Sequence, residues 1–152
     1  MTESKIVESK KSHIAKVYNN LRQADRDEVE AIGRDPFTAL KQGYKASSPC
    51  YTWMCDGEPS ALFGCVPYTD EFAAIWLLGT DNISKHKYPF MKTVTKFHKE
   101  LVRPYPITGN IVDERNKVHM KYIEHIGYTF IGRKLVGPQQ LPFLEFARMN
   151  HV

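Results

Sequence analysis

The pattern of apolar and polar positions changes period twice between residues 106 and 132. Residues 107–112 are rich in β-branched side chains, which is typical of a strand. Apolar side chains then recur at helical spacing, at Val118, Tyr122, Ile123 and Ile126. Asn116 predicts the N-cap of this helix, and Gly127 predicts its end at a positive φ. Because residues 128–131 resume a strand, the segment predicts strand, helix and strand.

The N-terminal third predicts an arm, a strand and a helix. Residues 1–11 are polar and charged, which favours a flexible arm. Residues 13–18 are the candidate first strand. Asp25 predicts the N-cap of a helix, and Glu28 lies where it would complete a capping box.

The following segment predicts a second helix and three strands. The Asp-Pro pair at residues 35–36 favours a helix start, with proline in the first turn. Residues 49–55 and 61–66 predict two strands, and the Asp-Gly pair at residues 56–57 favours a hairpin between them. Residues 72–78 are almost entirely apolar, which indicates a central strand covered on both faces.

A helix is predicted from about residue 84 or 89 to residue 103, with an apolar and a basic side. The apolar side consists of Phe90, Val94, Phe97 and Leu101. The basic side, which we call the basic ridge, consists of Lys92, Lys96, Lys99 and Arg103. A solvated outer face is the simpler interpretation of the ridge, and contact with nucleic acid is the alternative. Residues 143–149 predict the last strand.

The composition indicates a globular protein that is first located inside a cell. The 152 residues are 42% apolar, which is enough for one domain with a core. Neither a membrane-spanning apolar run nor a signal peptide is recognisable in the sequence, so no membrane insertion is expected. Three cysteines suit a reducing compartment. The net charge of +4 permits an acidic partner without requiring one.

Two family resemblances rest on the segment after Asn116. His119, three residues on, and the Gly-Tyr pair at residues 127–128 resemble the Asn…Gly-Phe/Tyr signature of the GNAT superfamily, the acyl-CoA N-acyltransferase fold. The run HMKYIEHIG, which follows a basic helix, is similar to the small GNAT-like internal virion proteins of podophages, the phage gene-thirteen-protein family. The likeness covers about residues 73–148, and the first half matches by element order alone.

The resemblance implies an α+β fold of GNAT type in one domain over residues 12–152. Its mixed, partly open sheet would have about six to seven strands, with helices on both faces. It also implies an acetyl-CoA cleft between two splayed strands. The matching cofactor-binding candidates are Leu77, Leu78, Lys85, His86, Lys87, Asn116 and His119. Tyr122 and Glu114 are the candidates for a catalytic acid and base.

Two departures from the superfamily pattern weaken the prediction of an enzyme. The connection over residues 80–89 lacks the glycine-rich motif that lets backbone amides converge on a diphosphate. Ile123 occupies the position at which many members have a tyrosine, and Tyr122 lies about 100° further around the helix. Cys50 and Cys55 are expected to point to opposite faces of a strand, so no metal site is predicted.

Three functional hypotheses remain open. The favoured one, implied by the closer resemblance, is a phage internal virion or interaction protein with a degenerate acetyl-CoA site. It would need no cofactor, would contact other phage virion or host proteins, and would occur in the virion and the host cytoplasm. The first alternative is an active acetyl-CoA-dependent N-acetyltransferase, which acts on an amine of a host or phage protein or of a small molecule. The second is a DNA-associated protein that uses the basic ridge.

Overall fold

The computed structural model describes residues 1–150, and within them it has seven strands and six helices. The strands are β1 (Ser4–Glu8), β2 (Cys50–Cys55), β3 (Glu58–Pro67), β4 (Phe72–Gly79), β5 (Ile107–Asp113), β6 (Thr129–Val136) and β7 (Leu141–Met149). The helices are α1 (Lys11–Asn19), α2 (Gln23–Ala31), α3 (Pro36–Ala46), α4 (Asn82–Lys85), α5 (Lys87–Val102) and α6 (Lys117–His125). The strands form one mixed sheet in the order β1-β2-β3-β4-β5-β7-β6.

The sheet opens between its two parallel strands, β4 and β5. Their pairing runs from Phe72 opposite Ile107 to Ala74 opposite Gly109, and the strands then separate. At the point of separation Asn110 Nδ2 donates a hydrogen bond to the carbonyl oxygen of Ile75, over 2.8 Å. Beyond it the second half of β4 has no β5 partner within residues 1–150. The separation leaves a wedge-shaped opening in the middle of the sheet.

Helices cover both faces of the sheet, which gives the fold two apolar cores. On one face α5 and α6 pack against the strands around Trp53, Phe63, Phe90 and Ile123. On the other face α1, α2 and α3 pack around Val17, Val29, Leu40 and Leu62. The predicted mixed, partly open sheet with helices on both faces is confirmed.

Several predictions of helix caps, a turn and a helix end are confirmed. Each depended on a sequence signal that lies within a few neighbouring residues. The Asp35 carboxylate accepts a hydrogen bond from the amide of Thr38 and caps α3. The Asp-Gly pair at residues 56–57 forms the turn between β2 and β3. Asn116 Oδ1 accepts from the amide of His119 and caps α6. Gly127 follows α6 with φ of +96°.

The predicted N-terminal arm is instead a strand. Residues of β1 pair antiparallel with β2, with Ile6 opposite Trp53. Trp53 Nε1 donates to Ser4 Oγ over 2.8 Å, and the amide of Asp56 donates to the carbonyl oxygen of Glu3 over 2.9 Å. A polar composition suits an edge strand, and these long-range contacts, which composition does not reveal, order it.

Three other predictions on local structure were wrong. Residues 13–18 belong to α1, where His13, Ile14 and Val17 are buried at helical spacing. Asp25 lies inside the first turn of α2 and does not cap it, since its carboxylate is bound elsewhere in the fold. Phe97 is 37% exposed, and the buried side of α5 is completed by His98.

Two buried histidines should make the fold sensitive to acid. Burial lowers the pKa of His98 and of His119 to about 4. Repulsion from Arg148 adds to this shift at His98, whereas at His119 the attraction of Asp25 opposes it and repulsion from Arg22 adds to it. Both are neutral in the folded state at pH 7, whereas the unfolded chain binds their protons below its ordinary pKa near 6.5. We therefore expect the free energy of unfolding to decrease by about 3 kcal/mol for each histidine as the pH is lowered from about 6.5 to 4. At pH 7 this contribution to stability is fully present.

Urea denaturation between pH 7 and pH 4 checks this expectation. His98→Gln removes one titrating group and retains a partner for the Tyr128 hydroxyl, which lies 2.9 Å from His98 Nε2. The variant should therefore lose part of the acid sensitivity, whereas the exposed control His125→Gln should keep all of it. An unchanged pH dependence in His98→Gln would contradict the assignment.

Candidate functional site

A groove lies between the start of α5 and helix α6, on the face of the sheet that carries these helices. Its volume is about 240 Å³, and its floor is formed by apolar side chains that include Ile83 and Phe90. Lys87 and Lys121 lie at its edges, both exposed and both without an ion pair among the described residues. The groove thus combines an apolar floor with two free cations.

Tyr122 closes the inner end of this groove. Its ring lies 5.3 Å from that of Phe90 and 5.7 Å from that of His119, measured between centroids. Tyr122 also borders a gap of only about 10 Å³ at the wedge, together with Leu77, Trp76 and Phe146 among others. Burial raises the pKa of Tyr122 above its ordinary value, so the hydroxyl keeps its proton. Within residues 1–150 this hydroxyl has no hydrogen-bond partner, and it is available to a ligand.

A larger cavity of about 430 Å³ lies beyond the gap, under α2 and α3; we call it the outer cavity. His119, Leu77 and Phe146 line both the gap and the outer cavity. The groove, the gap and the outer cavity therefore follow one another across the open part of the sheet. Because both ends are open, two ligands could approach the gap from opposite faces.

A buried polar network fixes the far end of the wedge. Arg22 and Asp25 form an ion pair with 2.7 Å between Nε and Oδ2, and their side chains are 5% and 1% exposed. Asp25 also accepts from the amide of Gly79 and from Asn116 Nδ2, both over 3.0 Å. Arg22 Nη2 lies 3.5 Å from His119 Nδ1. The network joins α2, the end of β4 and the start of α6.

Two further carboxylates belong to this network. Glu28 Oε1 accepts from the amide of Asp113 over 2.8 Å and from Asn116 Nδ2 over 3.4 Å. Burial, then repulsion from Asp25, raises the pKa of Glu28 to about 8. Burial also acts to raise the pKa of Asp113, but its hydrogen bonds with Arg115 hold that pKa below the ordinary value. The two carboxyl groups are therefore set for opposite protonation states near neutral pH.

The structure brings most of the cofactor-binding candidates to the groove, the gap and the outer cavity, which together we call the passage. Lys87 borders the groove, His119 and Leu77 line the gap, and Leu78 lines the outer cavity. Asn116 lies behind this surface as a cap and as part of the buried network.

Lys85, His86 and Glu114 lie elsewhere. Lys85 faces a separate cavity of about 470 Å³. His86 Nδ1 contacts Thr2 Oγ1 over 3.0 Å, and one ligand atom each from His86, Cys55 and Asp56 lie within 4.8 Å of one another. Glu114 pairs with Arg133 Nε over 2.8 Å, and it is not among the residues that line the passage in the described chain. The carboxylate that borders the outer cavity is that of Glu28, which the sequence pattern assigned to a capping box.

The connection after β4 forms the short helix α4 and has few free amides. The amides of Asn82 to His86 bond within the connection, chiefly to oxygens of Thr80, Asp81 and Asn82. Pro89 has no N–H, so Lys87 and Tyr88 supply the amides without a partner at this end of α5, within the part of the chain that the structure describes. A diphosphate bound there would be held more by lysine side chains than by amides.

Comparison with solved structures identifies the fold. The chain matches Ard1 from Thermoplasma volcanium with a TM-score of 0.74 at 11% identity, over 96% of this chain and 97% of that one. It matches an acetyltransferase (GNAT family) from Bacillus anthracis with a TM-score of 0.71 at 12% identity, over 97% and 95%. It matches the aminoglycoside acetyltransferase AAC(6')-Ib in complex with coenzyme A with a TM-score of 0.68 at 17% identity, over 97% and 95%. The chain has the GNAT fold.

Comparisons of sequence give a different outcome. No protein-family model matches the chain, and neither does any curated protein sequence. In the described chain no helix is long and apolar enough to cross a membrane.

The interpretation as a phage internal virion protein with a degenerate acetyl-CoA site is wrong. The matching structures are acetyltransferases, and structures of AAC(6')-Ib contain CoA or acetyl-CoA. They favour the acetyltransferase alternative, and the virion location has no support from them. Contact with other proteins stays a prediction. Contact of the basic ridge with DNA also stays a prediction. All four side chains of the ridge are exposed, as such contact would require.

Proposed function

We propose that the protein is an acetyl-CoA-dependent N-acetyltransferase that acts on a primary amine. The observation that carries this proposal is the passage across the open sheet, with the unpartnered hydroxyl of Tyr122 at its narrowest point. An acyl transfer needs such a meeting point, because donor and acceptor must approach one carbon atom from different sides.

The residues along the groove fit the parts of acetyl-CoA. Lys87 and Lys121, with the free amides of Lys87 and Tyr88, would hold the diphosphate by charge and hydrogen bonds. The unpaired second half of β4 offers backbone groups to the amides of the pantetheine arm. The gap has room for about one water molecule, so side chains such as Tyr122 and His119 must move when the arm enters.

The chemistry requires one proton donor and one proton acceptor from the protein. Acetyl-CoA supplies an acetyl thioester, whose carbonyl carbon accepts the amine nitrogen. Tyr122 holds its proton at neutral pH and is the donor for the leaving sulfur. His119, neutral and buried beside it, helps to exclude water from the gap.

Release of free CoA against a panel of amines tests this function. The panel contains 2-phenylethylamine, spermidine, kanamycin, an amino acid and a peptide with a free N-terminus. We expect turnover with at least one amine at a rate well above hydrolysis without acceptor. CoA release that no amine accelerates would contradict the proposal.

A further inference from the structure

The outer cavity has one carboxylate in a mainly apolar wall. Its apolar lining includes Trp76, Leu78 and Ile111, and its charged residues within the described chain are Glu28 and Arg34. Arg34 is exposed and donates to Gln42 Oε1. A volume of about 430 Å³ is typical of a site for a small ligand.

The two oxygens of Glu28 have different surroundings. Oε1 is held by the amide of Asp113 and by Asn116 Nδ2, which fixes the carboxyl group in place. Oε2 has no hydrogen-bond partner in residues 1–150, and the side chain borders the outer cavity. Among the other polar side chains that line the cavity, Asn110 uses its Nδ2 and Oδ1 in bonds to the backbone, and Gln42 Oε1 accepts from Arg34. Glu28 Oε2 is therefore the one carboxylate oxygen that this wall, within the described chain, leaves open to a ligand.

We infer that Glu28 binds and deprotonates the acceptor amine, and that this acceptor is a primary amine carried on a compact apolar body. The inference rests on the proposed function and names the acceptor side of the same passage. A single free carboxylate suits a single ammonium group, and the apolar wall suits a hydrocarbon or aromatic body. A polyamine would place further charges against apolar side chains and near the Arg34 guanidinium, which disfavours it.

The proton balance of the transfer is complete with Glu28 and Tyr122. The ammonium gives one proton to Glu28 Oε2, and the neutral nitrogen then forms the C–N bond while the C–S bond breaks. As the C–S bond breaks, the Tyr122 hydroxyl gives its proton to the sulfur, and its oxygen takes the second proton of the nitrogen. The first proton leaves Glu28 for the solvent, so that the amide, the free thiol of CoA and one released proton result.

The charges around Glu28 give this step a pH dependence. The groups that face Glu28 are Asp25 on the same helix, Asp113 at the end of β5, Arg115 just after it, Arg34 at the cavity mouth, and the neutral His119. Since its pKa is about 8, the carboxylate form that accepts a proton increases as pH rises toward that value. The ratio kcat/KM should therefore rise with pH through this range.

Steady-state kinetics of Glu28→Gln test the inference, with Glu30→Gln as an exposed control on the same helix. The glutamine retains an oxygen for the Asp113 amide but cannot accept a proton. We expect kcat/KM for 2-phenylethylamine to fall about 100-fold or more and to lose its rise toward pH 8. The wild-type enzyme should prefer 2-phenylethylamine to spermidine and kanamycin. Wild-type rates and pH profile in Glu28→Gln, or a preference for a polycation, would overturn it.

Calorimetry with 2-phenylethylamine in the presence of CoA provides a readout that needs no turnover. Wild-type protein and Glu30→Gln should bind the amine, and Glu28→Gln should bind it at least tenfold more weakly. Equal binding by Glu28→Gln, or none by the wild type, overturns this inference while acetyl-CoA binding is retained. Failure to bind acetyl-CoA instead overturns the proposed function.

Thermal unfolding separates this role from a structural one. A carboxyl group whose pKa is higher in the folded state destabilises the fold as pH rises from about 4.5 to 8. Glu28→Gln should therefore have a Tm at pH 8 equal to or above that of the wild type. A clearly lower Tm would identify Glu28 as a structural residue and overturn the inference.

Discussion

Replacing Asp25 with alanine is expected to lower the free energy of unfolding by about 3–5 kcal/mol. The carboxylate is 1% exposed and lies 2.7 Å from the guanidinium of Arg22, which is itself 5% exposed. Its removal leaves that cation buried without its counter-charge. The amide of Gly79 and Asn116 Nδ2 lose their acceptors in the same step.

Urea denaturation at pH 7 measures this effect, and Asp27→Ala on the same helix is the matched control. Asp27 accepts from Gln23 Nε2 at an exposed site, so its replacement should change stability by less than about 1 kcal/mol. A loss below about 1 kcal/mol in Asp25→Ala would show that the network does not stabilise the wedge.

Replacing Tyr122 with phenylalanine is expected to lower kcat about 100-fold or more and to leave the fold intact. The hydroxyl has no partner among the described residues, so its removal breaks no internal hydrogen bond. The aromatic contacts with Phe90 and His119 remain in the variant. Loss of the proton donor should therefore affect the rate and not the stability.

Initial rates of CoA release and the Tm, measured on one preparation, check this expectation. Tyr44→Phe is the control, since Tyr44 lies on α3 and is not among the residues that line the groove, the gap or the outer cavity in the described chain. Wild-type kcat in Tyr122→Phe would show that water or another group protonates the sulfur. A large drop in Tm would mean that the hydroxyl has a structural role.

The elements that could be predicted well from the sequence are those that neighbouring residues determine. The cap at Asn116, the positive φ at Gly127 and the hairpin at residues 56–57 each depend on a few neighbouring residues. The central strand at residues 72–78 could be predicted from its almost entirely apolar composition. These signals were sufficient for the order of elements in the second half and for the α+β fold.

The parts that could not be predicted depend on contacts between distant residues. Strand β1 is ordered by its pairing with β2, about 47 residues later in the chain. Glu28 reaches the cleft because α2 packs over the end of β5, whereas a capping box was an equally good interpretation of its spacing. On α6, Ile123 is fully buried in the core, and the helix is thereby rotated so that Tyr122 borders the gap. A count along the helix could not predict that rotation.

Titration calorimetry with acetyl-CoA tests the central claim most directly. We predict saturable one-to-one binding with a Kd below about 100 µM. The affinity should fall with added salt, and the double variant Lys87→Gln, Lys121→Gln should bind at least tenfold more weakly than a control with Lys92→Gln and Lys96→Gln on the basic ridge. Absence of saturation at millimolar acetyl-CoA, or equal affinity in both double variants, would contradict the assignment of the groove.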